Sequence, residues 1–258
     1  MIERLRVEYA ALTDVGRKRS HNEDAFLCAE DDGLFLVADG MGGHSAGEVA
    51  SAMAVELVTQ FYAAACRDPV AHWPFKQSRD EQFQADTLNI AIQYANLRIF
   101  ESARENSERR GMGTTLVGAL FAHNAAWVAH VGDSRAYIVR AAGSIEPITI
   151  DHSLLEEYRR TRPDLTEEQL KKFPYKNVIT RALGMKADVS VEMHRHEMHA
   201  GDVLVICCDG LTGMVRDEEI ASIVREYPDL NDACRELVHA ANGNGGIDNI
   251  TVVLVRTY

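Results

Sequence analysis

Apolar positions along the 258-residue chain fall into two patterns. Short continuous runs recur at Leu34–Ala38, Thr115–Phe121, Ala125–Ala129, Val203–Cys207 and Ile250–Val255. They are rich in β-branched residues and too short for helices, and Gly, Asp or Asn bounds most of them, so they predict buried strands. Two longer stretches carry a helical period. Over 46–62, Ala46, Val49, Ala50, Met53, Ala54, Leu57, Val58, Phe61 and Tyr62 form one stripe, and Ser45 with Glu48 three residues on reads as a capping box. Over 87–104, Leu88, Ala91, Ile92, Ala95, Ile99 and Ala103 repeat the pattern. Ile220, Ile223 and Val224, then Leu237, Val238 and Ala241 before Gly243, predict two closing helices ahead of the last strand. Between strands lies a charged segment, 151–175, with capping pairs Ser153/Glu156 and Thr166/Gln169; it reads as a surface flap spanning about 151–180.

Strand runs outnumber helical ones and neighbouring runs look like hairpins, which predicts an α+β protein with antiparallel sheets. No repeat or Pro/Gly/Ser linker divides the chain, so a single domain over 1–258 is expected. The content, 46% hydrophobic and 26% charged, is that of a folded globular protein. A net charge of −12 argues against a nucleic-acid binder, which needs clustered Lys and Arg. The N-terminus alternates charged and apolar residues, unlike a signal peptide, and no membrane span is expected from the sequence. Five cysteines, Cys28, Cys66, Cys207, Cys208 and Cys234, form no C-x-x-C pair and read as reduced thiols of a cytoplasmic protein.

The informative regularity is where the aspartates stand. The run from Leu34 ends in Asp39-Gly40, the run from Val203 in Asp209-Gly210, the run from Ala125 reaches Asp133, and Asp248-Asn249 opens the last strand. Each alone is ordinary turn chemistry. Together, at the ends of buried strands, they would repel one another strongly, and few Lys or Arg stand near them in sequence. A divalent cation is the natural counter-charge, and oxygen-only donors favour Mg²⁺ or Mn²⁺. Two such ions about 3.5 to 4 Å apart can activate a water for attack on phosphorus. Asp39 is the choice for a bridging ligand, with Gly40 offering its carbonyl where only a residue without a side chain lets the backbone approach. Arg19, just ahead of Asn22-Glu23-Asp24, can grip a phosphate monoester with its guanidinium fork.

Other features read as bland. The run Met193-His-Arg-His-Glu-Met-His199 has the alternation of a metal site on a strand, yet no adjacent Cys or Asp completes a ligand set, so a solvated strand is the reading. The glycine-rich stretches at 40–43 and 111–113 lack the Lys of a P-loop and the G-x-G-x-x-G spacing. Trp73 and Trp127 read as core or rim.

In family order from residue 16 to residue 251, eight segments match a known pattern: Gly16–Asp24, Val37–His44, Gly111–Leu116, His130–Tyr137, Asp151–Leu154, Asn177–Gly184, Cys208–Thr212 and Gly246–Thr251. Here the chain resembles the metal-dependent serine/threonine protein phosphatases of the PP2C type, also called the PPM family, in their bacterial form. The resemblance implies two packed antiparallel β-sheets with helices on both outer faces, a four-layer αββα sandwich, and a dimetal site at one end. It implies that Asp39 bridges two Mn²⁺ or Mg²⁺ ions, Gly40 ligates through its carbonyl, and Asp209 and Asp248 hold the first ion. Glu23 would act through water, with Asp24 supporting the shell. Arg19 would bind the substrate phosphate, and Asp133 with Asp209 would form a weaker third metal site. Where some members carry a histidine that serves as general acid, this chain has Met41, which donates no proton; His44 is the nearby candidate donor. The implied activity is hydrolysis of phosphoserine and phosphothreonine in proteins, opposing a bacterial Ser/Thr kinase, by a monomer without membrane or nucleic-acid partners. Two rivals are a non-catalytic phosphoprotein-binding module and a partner-switching phosphatase acting on an anti-sigma-factor antagonist.

Overall fold

The computed structural model describes residues 6–42, 46–67, 81–122, 124–166, 169–170, 173–175 and 178–258. Ser45, with its expected cap, His44 and Trp73 lie outside the described residues. Eleven strands are described: β1 (Val7–Asp14), β2 (Asp24–Ala29), β3 (Leu34–Met41), β4 (Gly113–Thr114), β5 (Leu116–Ala122), β6 (Ala125–Val131), β7 (Arg135–Val139), β8 (Ile145–Pro147), β9 (Glu192–Glu197), β10 (Val203–Cys207) and β11 (Ile250–Thr257). They form two antiparallel sheets, one ordered β1-β11-β10-β7-β8 and the other β2-β3-β5-β6-β9, with β4 paired to β3. The helices are α1 (Ala46–Arg67), α2 (Glu81–Glu105), α3 (Leu154–Thr161), α4 (Asp209–Thr212), α5 (Asp217–Glu226) and α6 (Leu230–Gly243).

Three layers of apolar side chains hold this together. Phe35, Val37, Val117, Ala119, Ile138, Leu204, Ile206 and Val253 fill the space between the two sheets. On the outer face of the β3-containing sheet, Leu34, Leu36, Leu116 and Leu120 meet Ala50, Ala54 and Val58 of α1 and Leu88, Ile92, Ala95 and Ile99 of α2. On the opposite outside, Val205, Val252 and Leu254 meet Ile220 and Val224 of α5 and Leu237 and Ala241 of α6. Central strands are therefore covered on both faces, and β5 is buried at every position, which is why they read as continuous apolar runs.

Two expectations change. The second helix begins at Glu81, about two turns before Leu88 opens the apolar period, because polar residues surround Phe83 and Ala85 there and dilute the pattern. The segment Ala46–Cys66 of α1, with a mean hydropathy of 1.4, is long and apolar enough to cross a bilayer, contrary to the expectation of no such stretch. Its apolar stripe packs against β3 and α2 instead, as the inner face of a core helix does.

The segment between β8 and β9 is tied down at its base. Leu154 N–H donates to Val178 O at 2.8 Å and Thr180 N–H to His152 O at 2.8 Å. The Ser153 hydroxyl caps α3 through Glu156 N–H, and Thr166 and Gln169 make the reciprocal capping pair expected of them. Leu183 then pairs in both directions with Thr114 of β4.

Candidate active site

Topology gathers the acidic residues at one end of the sandwich. In the β2/β3 register Asp24 stands directly opposite Asp39, a like-charge pair that would weaken an ordinary sheet. Asp209 follows β10 and Asp248 precedes β11, which are neighbours in the other sheet. Asp133 lies in the turn leaving β6. A cavity of about 200 Å³ is lined by Arg19, Glu23, Asp39, Gly40, Asp133, Asp209 and Asp248, together with Met41, Gly42 and Ile179. Asp24 is behind it: Asp24, Asp39 and Cys208 each offer a donor atom within 4.8 Å of the others.

Backbone and hydroxyl contacts hold these carboxylates in place. Asp39 N–H donates to Thr115 Oγ1 at 3.1 Å, and Asp39 O accepts from Thr114 Oγ1 and Thr115 N–H, both at 2.9 Å. Thr115 and Ser134, the residue after Asp133, share a hydroxyl bond of 2.7 Å, so the β3 and β6 ends are linked. Asn249 ties the β1–β2 loop to the start of β11: its Nδ2 donates to Val15 O and His21 O at 3.0 Å each, and its Oδ1 accepts from Glu23 N–H at 2.8 Å. Gly40 N–H donates to Glu23 O, and a Cβ on Gly40 would lie 2.2 Å from Gly47 O of α1. Gly210 is confined the same way: a Cβ on it would lie 1.8 Å from Asn249 O. Thr114, Thr115, Ser134 and Asn249 were not singled out by sequence. They act through the backbones of loops distant in the chain, and only the quoted motifs containing them hinted at a role.

The electrostatics are those of a site lacking its counter-charge. Burial, then repulsion from Asp24, Asp209, Asp133 and Asp248, holds the Asp39 carboxyl well above the usual range. Burial pushes Asp24 up to about 6, although Thr251 Oγ1 donates to its Oδ2 at 2.6 Å. Burial, with Asp209 and Asp151 nearby, raises Asp133 to about 7. Asp209 is raised by burial and by Asp248. Arg19, the substrate-binding candidate, donates from Nη2 to Asp248 Oδ2 at 2.7 Å with about half of its side chain exposed. A second nearby cation, Arg135, is engaged by Asp151 through two bonds of 2.8 and 2.7 Å.

This donor set fits hard divalent cations. Asp24 Oδ1 and Asp133 Oδ1 are buried without a hydrogen-bond partner, which is costly unless something positive meets them. Cys208 would suggest a softer metal, but burial holds its thiol protonated and it donates to Asn249 O at 3.3 Å. The usable donors are carboxylates and a glycine carbonyl, the chemistry of Mg²⁺ and Mn²⁺. An acidic cation site with an arginine on its rim, at the end of a double-sheet sandwich, defines a metal-dependent phosphoric-ester hydrolase.

Comparison with known proteins agrees. Residues 15–249 match the family model described as protein phosphatase 2C. The chain is 37% identical over 251 residues to the serine/threonine phosphatase stp of Listeria welshimeri, covering 95% of this chain and 93% of the relative. Among solved structures, the serine/threonine phosphatase Stp1 from Staphylococcus aureus superposes with a TM-score of 0.84 at 33% identity, over 100% of this chain and 98% of that one. The catalytic domain of the serine/threonine protein phosphatase PstP, solved with two manganese ions, superposes with a TM-score of 0.78 at 31% identity, over 97% of each chain. The chain belongs to the protein phosphatase 2C family and is a metal-dependent serine/threonine protein phosphatase with a dimetal Mn/Mg centre.

Proposed function

We propose that this phosphatase removes phosphate from phosphoserine and phosphothreonine of cytoplasmic proteins, opposing a Ser/Thr kinase, with the residues of the acidic cavity in the following roles. Asp39, the Gly40 carbonyl, Asp209 and Asp248 would hold two ions, with Glu23 acting through water and Asp24 supporting the shell. When bound, the ions supply Lewis acidity that activates water and offsets charge on the phosphoryl oxygens. Asp133 and Asp209 would hold a weaker third ion.

The chain's own residues prepare the rest. Arg19 binds the phosphate: its guanidinium already reaches the cavity, anchored by one nitrogen on Asp248, so a tetrahedral dianion meets a fork held in position. The Thr115 and Asn249 bonds fix the carboxylate-bearing loops in advance, which saves reorganisation when charge develops. Met41 lines the cavity and donates no proton; His44 protonates the departing alkoxide. Ile179, from the segment that follows α3, borders the cavity and makes that segment a flap touching the substrate. Residues 15–249 act as one catalytic domain, as a monomer.

The observation that supports this reading is the single cavity holding Arg19 together with Glu23, Asp39, Asp133, Asp209 and Asp248. Complete donors argue against a non-catalytic binding module, and nothing favours the anti-sigma-factor antagonist as substrate. The test is phosphate release from matched phosphothreonine, phosphoserine and phosphotyrosine peptides with Mn²⁺. Release from the first two and little from the third is expected; preference for phosphotyrosine would overturn the substrate assignment.

A further inference from the structure

The Asp151-His-Ser-Leu154 segment has no part in the roles above, yet His152 is at the centre of a buried polar cluster. Its Nδ1 lies 3.0 Å from the Gly132 N–H, and its own backbone N–H donates to Gly132 O at 2.8 Å, so one residue holds Gly132 in both directions. Its Nε2 is 3.2 Å from Glu192 Oε2 on β9 and 2.9 Å from Arg181 Nη1. The ring stacks on His130 with centroids 4.6 Å apart, and His130 Nε2 is bonded to Ile150 O at 2.9 Å.

His130, His152 and Glu192 have the spacing of a transition-metal site. The hydrogen bonds argue otherwise. A neutral imidazole has one acceptor nitrogen. Gly132 N–H is buried and needs an acceptor, which assigns the lone pair to Nδ1 and the proton to Nε2, where Glu192 accepts it. Arg181 has its own acceptor, Ser190 O, at 3.1 Å. An ion at Nε2 would have to displace that proton and lie against a guanidinium. The cluster is a clamp rather than a metal site.

What it clamps matters. Gly132 has φ +115° and precedes Asp133; a Cβ on it would lie 2.6 Å from Thr115. Asp133 therefore hangs between Gly132, held by His152, and Ser134, held by Thr115. His152 also closes the base of the flap, through its carbonyl and Thr180 N–H. We propose that His152 is a positioning residue that sets Asp133 in the active site through Gly132, and ties that setting to the base of the flap. The proposal rests on the reading of Asp133 as a ligand.

Two near-isosteric variants isolate the bond. His152→Asn puts an acceptor where Nδ1 was, whereas His152→Leu fills the space without one. In the metal-free protein, the Leu variant is expected to speed hydrogen exchange of the Gly132 amide by about tenfold or more, and the Asn variant to keep it protected. With Mn²⁺, kcat on a phosphothreonine peptide should fall about tenfold in the Leu variant with KM little changed, in the range seen when a residue supporting a metal ligand is lost, and the Asn variant should recover most of it. In an Asp133→Asn background the Leu substitution should cost nothing further, as expected for residues acting through one another. An Asn variant no better than Leu, unchanged Gly132 exchange, or losses that multiply in the Asp133→Asn background would overturn the proposal. Full turnover by Asp133→Asn alone would overturn the reading of Asp133, and the positioning role with it, while Gly132 exchange reports on the clamp separately.

Discussion

Gly40 is in a position that admits no side chain: a Cβ would lie 2.2 Å from Gly47 O and 2.5 Å from Glu23 O, both backbone atoms. Gly40→Ala should therefore push α1 away from β3, costing about 1 to 3 kcal/mol or more in stability and most of the activity; thermal melting and phosphate release check it. A second prediction at this scale concerns the proton for the leaving group. His44→Ala should slow a phosphothreonine peptide by about a hundredfold or more, yet leave an aryl phosphate, whose leaving group needs no proton, near wild-type turnover. Equal loss on both substrates would remove His44 from that role. The aspartates were legible in the sequence because each follows or opens an apolar run, so burial and charge coincide at a readable position. Asn249 and Thr115 were not, because their partners lie 226 and 76 residues away.

Among the elements, legibility tracks burial. β3, β5, β6, β10 and β11 are covered on both faces and announce themselves as apolar runs. β1, β2, β4 and β8 were not read in advance, and β9 only as a solvated strand; β7 is the exception to the trend, unread although four of its five residues are buried. β1, β2 and β9 lie at sheet edges, where polar residues interrupt the pattern. The sequence does not record which strands adjoin, and Asp24 facing Asp39 follows only from the β2/β3 register. One element contact joins core to site. Ile99 of α2 is fully buried, and its Cγ2 would lie 2.4 Å from a Cβ on Gly184, next to Leu183, which pairs with Thr114 beneath Asp39. Ile99→Ala should lower unfolding stability by about 2 to 5 kcal/mol in denaturant titration.

For the molecule as a whole, the acidic end sets the pH response. Asp133 at about 7 and Asp24 at about 6 both stand above the ordinary carboxylate value of 3.8. A raised folded pKa means that the metal-free protein holds extra protons between roughly pH 4 and 7, so this contribution is lost from stability as pH rises through that window. Cation binding reverses the penalty. Mn²⁺ should therefore release protons on binding near pH 6, and raise the melting temperature more at about pH 8 than at about pH 5. Calorimetry in two buffers of different ionisation heat reads the proton count, and binding without proton release would contradict the carboxylate shifts. Whether the cavity around Asp39 is the catalytic cation site is decided by phosphate release from a phosphothreonine peptide with Mn²⁺, with EDTA, and in Asp39→Asn. Release with Mn²⁺, none with EDTA, and a loss of orders of magnitude in a variant that still folds are expected. Release that survives EDTA, or a folded Asp39→Asn variant with normal turnover, would contradict that assignment.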